Sequence, residues 1–254
     1  MADRFADKVA LVTGGGSGIG RAIALGFAAE GATAVVAGRS QETLDETVAL
    51  IESAGGAASA QVTDVSKADD VESLIATIKE RHGGLHIACN NAGTVGKGGP
   101  VDELEEDVWD EVLAINLTGT WLCLKHAIAW MREQGSGGSI VNVSSNIGAH
   151  VIRPRMGAYA ASKAGVNALT RVAALDCIED GIRVNAVSPG ATDTPLSFRP
   201  GETHEDRAKR IDAAIPMHRL GTVEEMAAAV LWTASSDAEF VVGQDFVIDG
   251  GASV

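Results

Sequence analysis

The stretch VALVTGGGSGIG, residues 9–20, decides the fold class of this chain. An apolar run of β-forming residues, Val9–Thr13, leads directly into a segment, 14–20, in which five of the seven residues are glycine. Glycine lets another group approach the backbone closely, and the N–H groups that open a following helix suit a phosphate. Two ligands compete for such a turn, a nucleoside triphosphate and a dinucleotide.

The spacing of the glycines separates these two ligands. A triphosphate loop needs Gly, four residues, Gly, Lys and then Ser or Thr. Gly15 and Gly20 have that spacing, but Arg and Ala follow, so the lysine and the hydroxyl are missing. The usual G-x-G-x-x-G dinucleotide pattern is absent too, and the chain has Gly14-x-x-x-Gly18-x-Gly20 instead. This pattern still suits a pyrophosphate at a helix N-terminus, and the alternative is a glycine-rich turn without a ligand.

Composition and charge exclude several classes of partner. The chain has 254 residues, 46% of them hydrophobic, which predicts a single domain over residues 1–254 with one large core. The net charge of −14 argues against nucleic acid and anionic membrane as partners. We find no apolar signal core and no apolar run near the length of a membrane span, so we expect a cytoplasmic protein.

Cysteine usage agrees with that location. Cys89, Cys123 and Cys177 are odd in number and widely spaced, which predicts buried thiols in a reducing compartment. No Cys or His pair has the spacing of metal ligands, so no metal site is expected.

Strand-like runs alternate with amphipathic segments along the whole chain. Ile19, Ile23 and Phe27 repeat at helical spacing, and a second stripe, which includes Met226 and Val230, runs from 223 to 231. Alternation of this kind predicts βαβ units and a parallel sheet, hence an α/β fold. The predicted strands are Val9–Thr13, Thr33–Ala37, Ala57–Val62, Leu85–Asn90, Ser139–Val143, Ile182–Val187 and Asp245–Ile248.

The least periodic and most polar part of the chain is Asp193–Asp206. Long irregular segments in compact domains are often functional. We therefore expect a substrate loop near 193–217, with Pro195–Asp206 mobile without ligand and closing over bound cofactor and substrate.

Six motifs in order resemble those of the short-chain dehydrogenase/reductase family over essentially the whole chain. They are Thr13–Gly20, Asn90–Gly93, Asn116, Ser145, Tyr159–Lys163 and Pro189–Thr194. The resemblance implies a Rossmann-type doubly wound sheet of about seven parallel strands with helices on both faces. It also implies a nicotinamide cofactor, a small-molecule alcohol or ketone as substrate and, commonly, a homotetramer.

The candidate catalytic residues are Asn116, Ser145, Tyr159 and Lys163. Tyr159 and Lys163 are four residues apart on one helical face, and a nearby ammonium lowers the pKa of a phenol from its usual ~10. Ser145 resembles the family's catalytic serine, although it lies fourteen residues before Tyr159, one more than expected. Ser144 is the alternative. Asn116 resembles the asparagine that holds a water near the lysine.

The unusual spacing implies an altered loop between residues 148 and 158. His150, Arg153, Arg155 and Met156 lie in this loop. Two interpretations stay open: these side chains contact the substrate, or they are solvated or contact another subunit.

The resemblance also implies the cofactor-binding residues. Asp64 resembles the residue whose side chain meets adenine, and Thr194 the residue whose hydroxyl meets the nicotinamide carboxamide. The full predicted set is Gly14, Ser17, Gly18, Ile19, Gly20, Arg39, Asp64, Val65, Asn91, Ala92, Gly93, Tyr159, Lys163, Pro189, Gly190, Thr192 and Thr194.

The end of the second strand distinguishes NADP from NAD. Folds that bind NAD usually place an acid there, to accept a hydrogen bond from the ribose 2′-OH. Here Gly38 occupies that position and Arg39 follows, and a guanidinium suits a 2′-phosphate. We therefore favour NADP(H), with NAD(H) bound through the backbone as the alternative, which Ser17 in the first loop keeps open.

The leading function is an oxidoreductase that interconverts a secondary alcohol and a ketone by hydride transfer, with Tyr159 as the general acid and base. The second enzymatic hypothesis is a 3-oxoacyl-thioester reductase of fatty-acid synthesis, although the net acidic surface argues against a basic dock for a carrier protein. The non-enzymatic hypothesis is a dinucleotide-sensing scaffold, which has no need of an activated phenol.

Overall fold

A computed structural model describes residues 3–194, 197 and 201–254. In this part of the chain, seven strands form one sheet in which every pair of neighbours is parallel. Their order across the sheet is β3-β2-β1-β4-β5-β6-β7. The strands are β1 Val9–Thr13, β2 Thr33–Gly38, β3 Ala57–Val62, β4 Ile87–Asn90, β5 Gly138–Val143, β6 Ile182–Pro189 and β7 Asp245–Ile248.

All seven predicted strands are present, and β1, β3 and β7 have the predicted bounds. The strands β2, β5 and β6 extend one or two residues beyond the prediction. The predicted start of β4 at Leu85 is wrong, because the strand begins at Ile87. The backbone N–H of Leu85 donates to Oε1 of Gln134 at 2.8 Å, so this residue is bound to a helix side chain instead of the sheet.

Helices cover both faces of the sheet, as predicted for a doubly wound fold. One layer consists of α1, α2 and α8, and the other of α3, α5 and α6. The predicted helical stripes face the core, since Ile23, Phe27, Met226 and Val230 are buried. The helices are α1 Gly18–Ala29, α2 Gln41–Ser53, α3 Ala68–His82, α4 Glu106–Leu113, α5 Gly119–Gln134, α6 Gly157–Cys177, α7 His204–Ala214 and α8 Val223–Ala234.

The strand order reverses between β1 and β4. From β1 the chain goes outward to β2 and β3, and it then returns to place β4 on the other side of β1. The crossovers therefore diverge above the carboxyl ends of β1 and β4 and leave a crevice there, which is where open α/β sheets bind their ligands.

The helices α4 and α5 form one continuous helix, Glu106–Gln134, through the π-helical turn Ala114–Thr118. Its most apolar window has a mean hydropathy of 1.3, so by length and composition alone it is long and apolar enough to cross a membrane. A core helix passes the same test, and α5 packs against α3, α6 and the sheet.

The three cysteines are free and buried, which confirms the prediction of buried thiols. Burial raises the pKa of the Cys123 thiol to about 12 and that of Cys177 to about 11.

The predicted substrate loop is in part helical. The irregular stretch was expected to reach Asp206, but α7 begins at His204, where the Thr203 hydroxyl accepts a hydrogen bond from the N–H of Asp206 and caps the helix. Residues 195, 196 and 198–200 of the predicted loop lie outside the described residues.

Candidate active site

The glycine-rich turn after β1 has the geometry of an anion cradle. Gly14 and Gly18 have positive φ values of 66° and 51°, which favour glycine. A Cβ on Gly20 would lie 2.2 Å from the carbonyl oxygen of Gly14, so a side chain has no room there. The Ser17 hydroxyl does not cap α1, and the first helical turn contains no acidic residue. The N–H groups that open α1 are therefore suited to a phosphate.

Side chains from two neighbouring elements hold this turn. The Asn91 amide donates to the carbonyl oxygen of Thr13 at 2.9 Å. On the other side, the Thr47 hydroxyl of α2 donates to the carbonyl oxygen of Gly15 at 3.0 Å, and the Arg21 guanidinium donates to that of Gly16 at 2.5 Å. The sequence analysis missed Arg21 and Thr47, because their contacts carry no periodic signal. Asn91, a predicted cofactor residue, uses its side chain to shape the turn.

The residues predicted for the adenosine side follow β2 and β3. Arg39 is exposed, and its guanidinium forms no hydrogen bond or ion pair with the described residues. Asp64 accepts hydrogen bonds from the hydroxyl and the N–H of Ser66. The hydrogen bond from the Ser66 hydroxyl is the main cause that lowers the pKa of Asp64, and the charges of Lys67 and Arg39 lower it further against the effect of burial. Val65 is buried beside α5.

The two candidate serines after β5 point to different partners. The Ser145 hydroxyl lies close enough to the Tyr159 hydroxyl to lower its pKa, and it accepts a hydrogen bond from the N–H of Ile147 at 3.1 Å. The Ser144 hydroxyl donates instead to the backbone oxygen of Lys163 at 3.1 Å. The structure therefore brings Ser145, and not Ser144, to the tyrosine, even though the spacing is one residue longer than expected.

Tyr159 and Lys163 lie on one face of α6. The Lys163 ammonium is 5.9 Å from the centre of the Tyr159 ring and donates to the backbone oxygen of Val143 at 2.8 Å. Burial raises the pKa of Tyr159, and the Ser145 hydrogen bond only partly opposes this rise. Burial also lowers the pKa of Lys163 to about 8. We expected the ammonium to lower the pKa of the phenol, but in this structure burial outweighs the neighbouring groups.

Asn116 is fully buried in the π-helical turn between α4 and α5. Its side chain exchanges two hydrogen bonds of 2.8 Å with the backbone of Thr94 and donates a third, of 3.0 Å, to the hydroxyl of Ser162. A Cβ on Gly93 would lie 3.3 Å from the Asn116 oxygen and 3.6 Å from the Lys163 nitrogen. Asn116 therefore connects the segment after β4 to α6 beside the lysine, and Thr94 and Ser162 are partners that the sequence analysis missed.

The segment after β6 lies across the crevice from the glycine-rich turn. A Cβ on Gly18 would be 3.5 Å from Cγ2 of Thr194, so these two predicted cofactor residues face each other. Pro189 ends β6, and the N–H of Gly190 donates to the backbone oxygen of Ile248 in β7 at 2.9 Å. Thr192 pairs with Gly221 in an isolated bridge.

The lengthened loop after Ser145 is attached to its neighbours at several points. Nε2 of His150 lies 2.6 Å from a carboxylate oxygen of Asp245 in β7. The backbone oxygen of Arg155 accepts from the N–H of Gly99, and Met156 pairs with Gly99 in a bridge. His150, Met156 and the backbone of Arg155 thus have contacts within the chain, and residues His150, Arg153 and Arg155 are all exposed.

The predicted site residues therefore meet at one edge of the sheet, and this arrangement defines a dinucleotide-binding α/β enzyme. The sequence matches, over residues 14–253, the family profile described as "Enoyl-(Acyl carrier protein) reductase". It is 41% identical to a 3beta-hydroxysteroid dehydrogenase of Mediterraneibacter gnavus over 98% of this chain and 95% of that protein. It is 43% identical to a cis-4-hydroxycyclohexanecarboxylate dehydrogenase of Sinomonas cyclohexanicum over 99% and 98% of the two chains.

A solved structure is similar over nearly the same length. The crystal structure of levodione reductase superposes with a TM-score of 0.93 at 38% identity and covers 98% of each chain. The chain belongs to the short-chain dehydrogenase/reductase family. It is an oxidoreductase that acts on CH–OH groups and interconverts a secondary alcohol and a ketone with a nicotinamide dinucleotide.

Proposed function

We propose that Tyr159 is the general acid and base of this reaction, that Ser145 orients the substrate oxygen and that Lys163 adjusts the charge beside the phenol. The observation that carries the proposal is the placement of Ser145 beside the Tyr159 hydroxyl at the crevice, with Lys163 one helical turn further along. The nicotinamide, when bound, supplies the hydride that reduces a carbonyl carbon or accepts it from a carbinol. Tyr159 would donate a proton to the oxygen of a ketone, or accept one from the hydroxyl of an alcohol.

The direction of the pKa shift suits the proton donor of a ketone reductase. Because burial raises the pKa of Tyr159, the phenol carries its proton at neutral pH. Ser145 has one hydroxyl proton and two lone pairs, so it can bond to Tyr159 and the substrate oxygen together. Asn116, whose amide donates both of its N–H groups, to Thr94 and to Ser162, supports the site by fixing the segment that carries Gly93.

We further propose that NADP(H) is the preferred cofactor. Its pyrophosphate would bind at the glycine-rich turn, where Gly20 has no room for a side chain and α1 has no capping hydroxyl. The 2′-phosphate would meet Arg39, which is exposed and forms no hydrogen bond or ion pair with the described residues. A free guanidinium at this position supports NADP(H), because a phosphate can bind it without displacing an existing ion pair.

For the substrate we propose a secondary alcohol or ketone on an alicyclic ring. Two of the relatives named above act, by their names, on a ring hydroxyl of a steroid and of a cyclohexane. The thioester alternative is less well supported, because an acidic carrier protein needs a basic dock. Near the loop that pairs with Met156, seven of the ten residues 102–111 are acidic.

The test is a screen of cyclohexanone, 4-oxocyclohexanecarboxylate, a 3-ketosteroid and a 3-oxoacyl thioester, each with NADPH and with NADH. Nicotinamide absorbance follows the reaction, and the Tyr159→Phe variant measured in parallel assigns any turnover to this site. Reduction of a cyclic ketone that depends on Tyr159 is the expected result. Turnover confined to the thioester would favour the alternative.

A homotetramer remains our proposal for the assembly. Exposed apolar side chains on two parts of the fold support it, one group on α5 and α6 and one around α8 and β7, because a dihedral tetramer needs two different interfaces. These side chains are Trp121, Val172 and Leu175 in the first group, and Trp232, Phe240 and Val254 in the second. Light scattering should show tetramers that become dimers in Leu175→Asp and in Phe240→Asp.

The role of segment 193–217 as a substrate loop is also a proposal. An ion pair of 2.7 Å between Arg207 and Asp193 supports it, because it joins α7 to the segment Pro189–Thr194, which carries the predicted nicotinamide residues. Hydrogen exchange in α7 should slow when NADP(H) and a product alcohol bind together. Unchanged hydrogen exchange in α7 of enzyme saturated with both ligands would indicate instead that the segment is a rigid part of the site.

A further inference from the structure

Asn146, the residue directly after Ser145, is buried and bonded at three points. Its N–H donates to the backbone oxygen of Pro189 at 3.0 Å, and its carbonyl oxygen accepts from Val151 at 2.7 Å. Its side-chain amide donates to a carboxylate oxygen of Asp249 at 3.1 Å, across 103 residues of sequence. Asn146 thus joins the serine loop both to the segment that begins the predicted nicotinamide site and to the residues after β7.

Asp249 is held in place as an ionised acceptor. Burial alone would raise its pKa, but hydrogen bonds from Ser253, Asn146 and the backbone outweigh burial and lower the pKa. Its second carboxylate oxygen accepts from the N–H of Gly251 at 3.0 Å. Gly190 packs directly against it, since a Cβ there would lie 2.7 Å from Cα of Asp249.

The residues after Asp249 continue this connection to the end of the proposed substrate loop. The backbone oxygen of Gly250 accepts from the N–H of Met217 at 3.2 Å. Gly250 has a φ of 65°, and a Cβ there would lie 2.9 Å from the side chain of Ile215. Segment 249–254 therefore contacts the serine loop, the segment after β6 and residues 215–217 together.

We propose that Asn146 is a positioning residue, anchored by Asp249, that holds the Ser145 hydroxyl against Tyr159. This inference rests on the proposed roles of Ser145 and Tyr159. Among the described residues, the Asn146 side chain forms a hydrogen bond only with Asp249. The effect of Asn146 on the reaction therefore passes through the backbone of Ser145. A hydrogen bond weakens steeply with distance and angle, so a small shift of that backbone reduces the Ser145–Tyr159 interaction.

The experiment compares two variants that keep the net charge of −14, Asn146→Ala and the exchange Asn146→Asp with Asp249→Asn. The exchange restores the bond with donor and acceptor reversed, and its new amide oxygen still accepts from Gly251. The matched control is Asn185→Ala, which removes another buried amide, bonded to Val241 and Gln244 away from the site. The effect of Asn185→Ala measures what the loss of a buried side-chain amide costs in general.

Two readouts are used. The first is kcat and KM with the ketone that the wild type reduces fastest in the screen above. The second is the spectral titration of tyrosinate in the cofactor-free protein, which reports on Tyr159 alone because the chain has one tyrosine. This titration does not depend on turnover, so it tests the positioning role even if the proposed function fails.

Asn146→Ala should lower kcat about 10-fold or more with little change in NADPH affinity. It should also raise the titration midpoint of Tyr159, as is expected for Ser145→Ala, because Ser145 lowers that pKa. The exchange should restore both readouts, and Asn185→Ala should change only thermal stability. An unchanged tyrosine midpoint in Asn146→Ala, or an exchange as impaired as the single variant, would overturn the proposal. If the wild type reduced none of the ketones but the tyrosine titration midpoints of the variants were as predicted, only the proposed function would be refuted, and the positioning role would stand.

Discussion

Cofactor choice is open to direct perturbation at the end of β2. Arg39 forms no hydrogen bond or ion pair with the described residues, and only its charge acts on Asp64, so Arg39→Ala should cost the protein little stability. Loss of a hydrogen bond between a guanidinium and a phosphate costs about 1.5–3 kcal/mol, which corresponds to about 10- to 150-fold in the Kd of NADPH. The Kd of NADH should stay nearly constant. Because Arg39 is exposed, the effect should shrink as salt concentration rises.

The backbone at Gly38 permits a substitution that should shift the cofactor preference in the opposite direction. A Cβ on Gly38 would meet only a methyl group of Leu44, at 3.5 Å, which is an ordinary contact. Gly38→Asp therefore places a carboxylate where it repels a 2′-phosphate and accepts from a 2′-OH, and it should shift the preference toward NADH.

Quenching of tryptophan fluorescence gives both dissociation constants for each variant. Arg81→Ala, at the end of α3 on the opposite edge of the sheet, removes the same charge away from the site and should leave both unchanged. Tighter binding of NADH than of NADPH by the wild type, or equal weakening of both by Arg39→Ala, would refute the reasoning.

Three further predictions concern the catalytic group. Tyr159→Phe should lower turnover by ~10²–10⁴-fold at nearly constant cofactor affinity, and near-normal turnover would exclude the phenol as proton donor. Ser145→Ala should lower kcat and raise the tyrosine titration midpoint, whereas Ser144→Ala, which loses only a bond to a backbone oxygen, should leave that midpoint unchanged. Burial lowers the pKa of Lys163 to about 8, so above that pH the unfolded chain binds more protons than the folded protein. The free energy of unfolding of the wild type should therefore rise by about 1 kcal/mol from pH 8 to 9, relative to that of Lys163→Met. Urea unfolding at both pH values measures this difference, and parallel pH profiles for the two proteins would contradict it.

The architecture follows from local patterns, and this explains why it could be predicted. Strands buried on both faces give continuous apolar runs, and their carboxyl ends meet at one edge when the sheet is parallel. Motifs that follow β1, β4, β5 and β6 are therefore brought together without any knowledge of side-chain packing. Leu85 shows the limit, because only the tertiary contact with Gln134 removes it from its strand.

Details of the site depend on contacts that leave no periodic trace. The amide of Asn116 bonds to Thr94 and Ser162, and Asn146 bonds to a carboxylate 103 residues away. The pKa of Tyr159 also depends more on the packing around the phenol than on the spacing between Tyr159 and Lys163 in the sequence. The spacing to Lys163 places an ammonium nearby, but the amount of water that packing excludes sets the direction of the pKa shift.

Strand geometry and the loop after β5 together settle a question that residue spacing left open, the choice between the two serines. Successive side chains of a strand point to opposite faces, so Ile140, Asn142 and Ser144 share one face of β5 and its continuation. Ile140 packs in the core layer that includes α6, the amide of Asn142 donates to Thr170 of α6, and the Ser144 hydroxyl reaches the α6 backbone. Ser145 has the opposite parity and makes no bond to the α6 backbone, and Val141 and Val143, which share that parity, pack in the other core layer. Because β5 ends at Val143, the backbone beyond the strand, and not its pleat, turns Ser145 toward the tyrosine on α6. Strand geometry therefore accounts for the bond that holds Ser144 to α6, and the loop after β5 determines the position of Ser145.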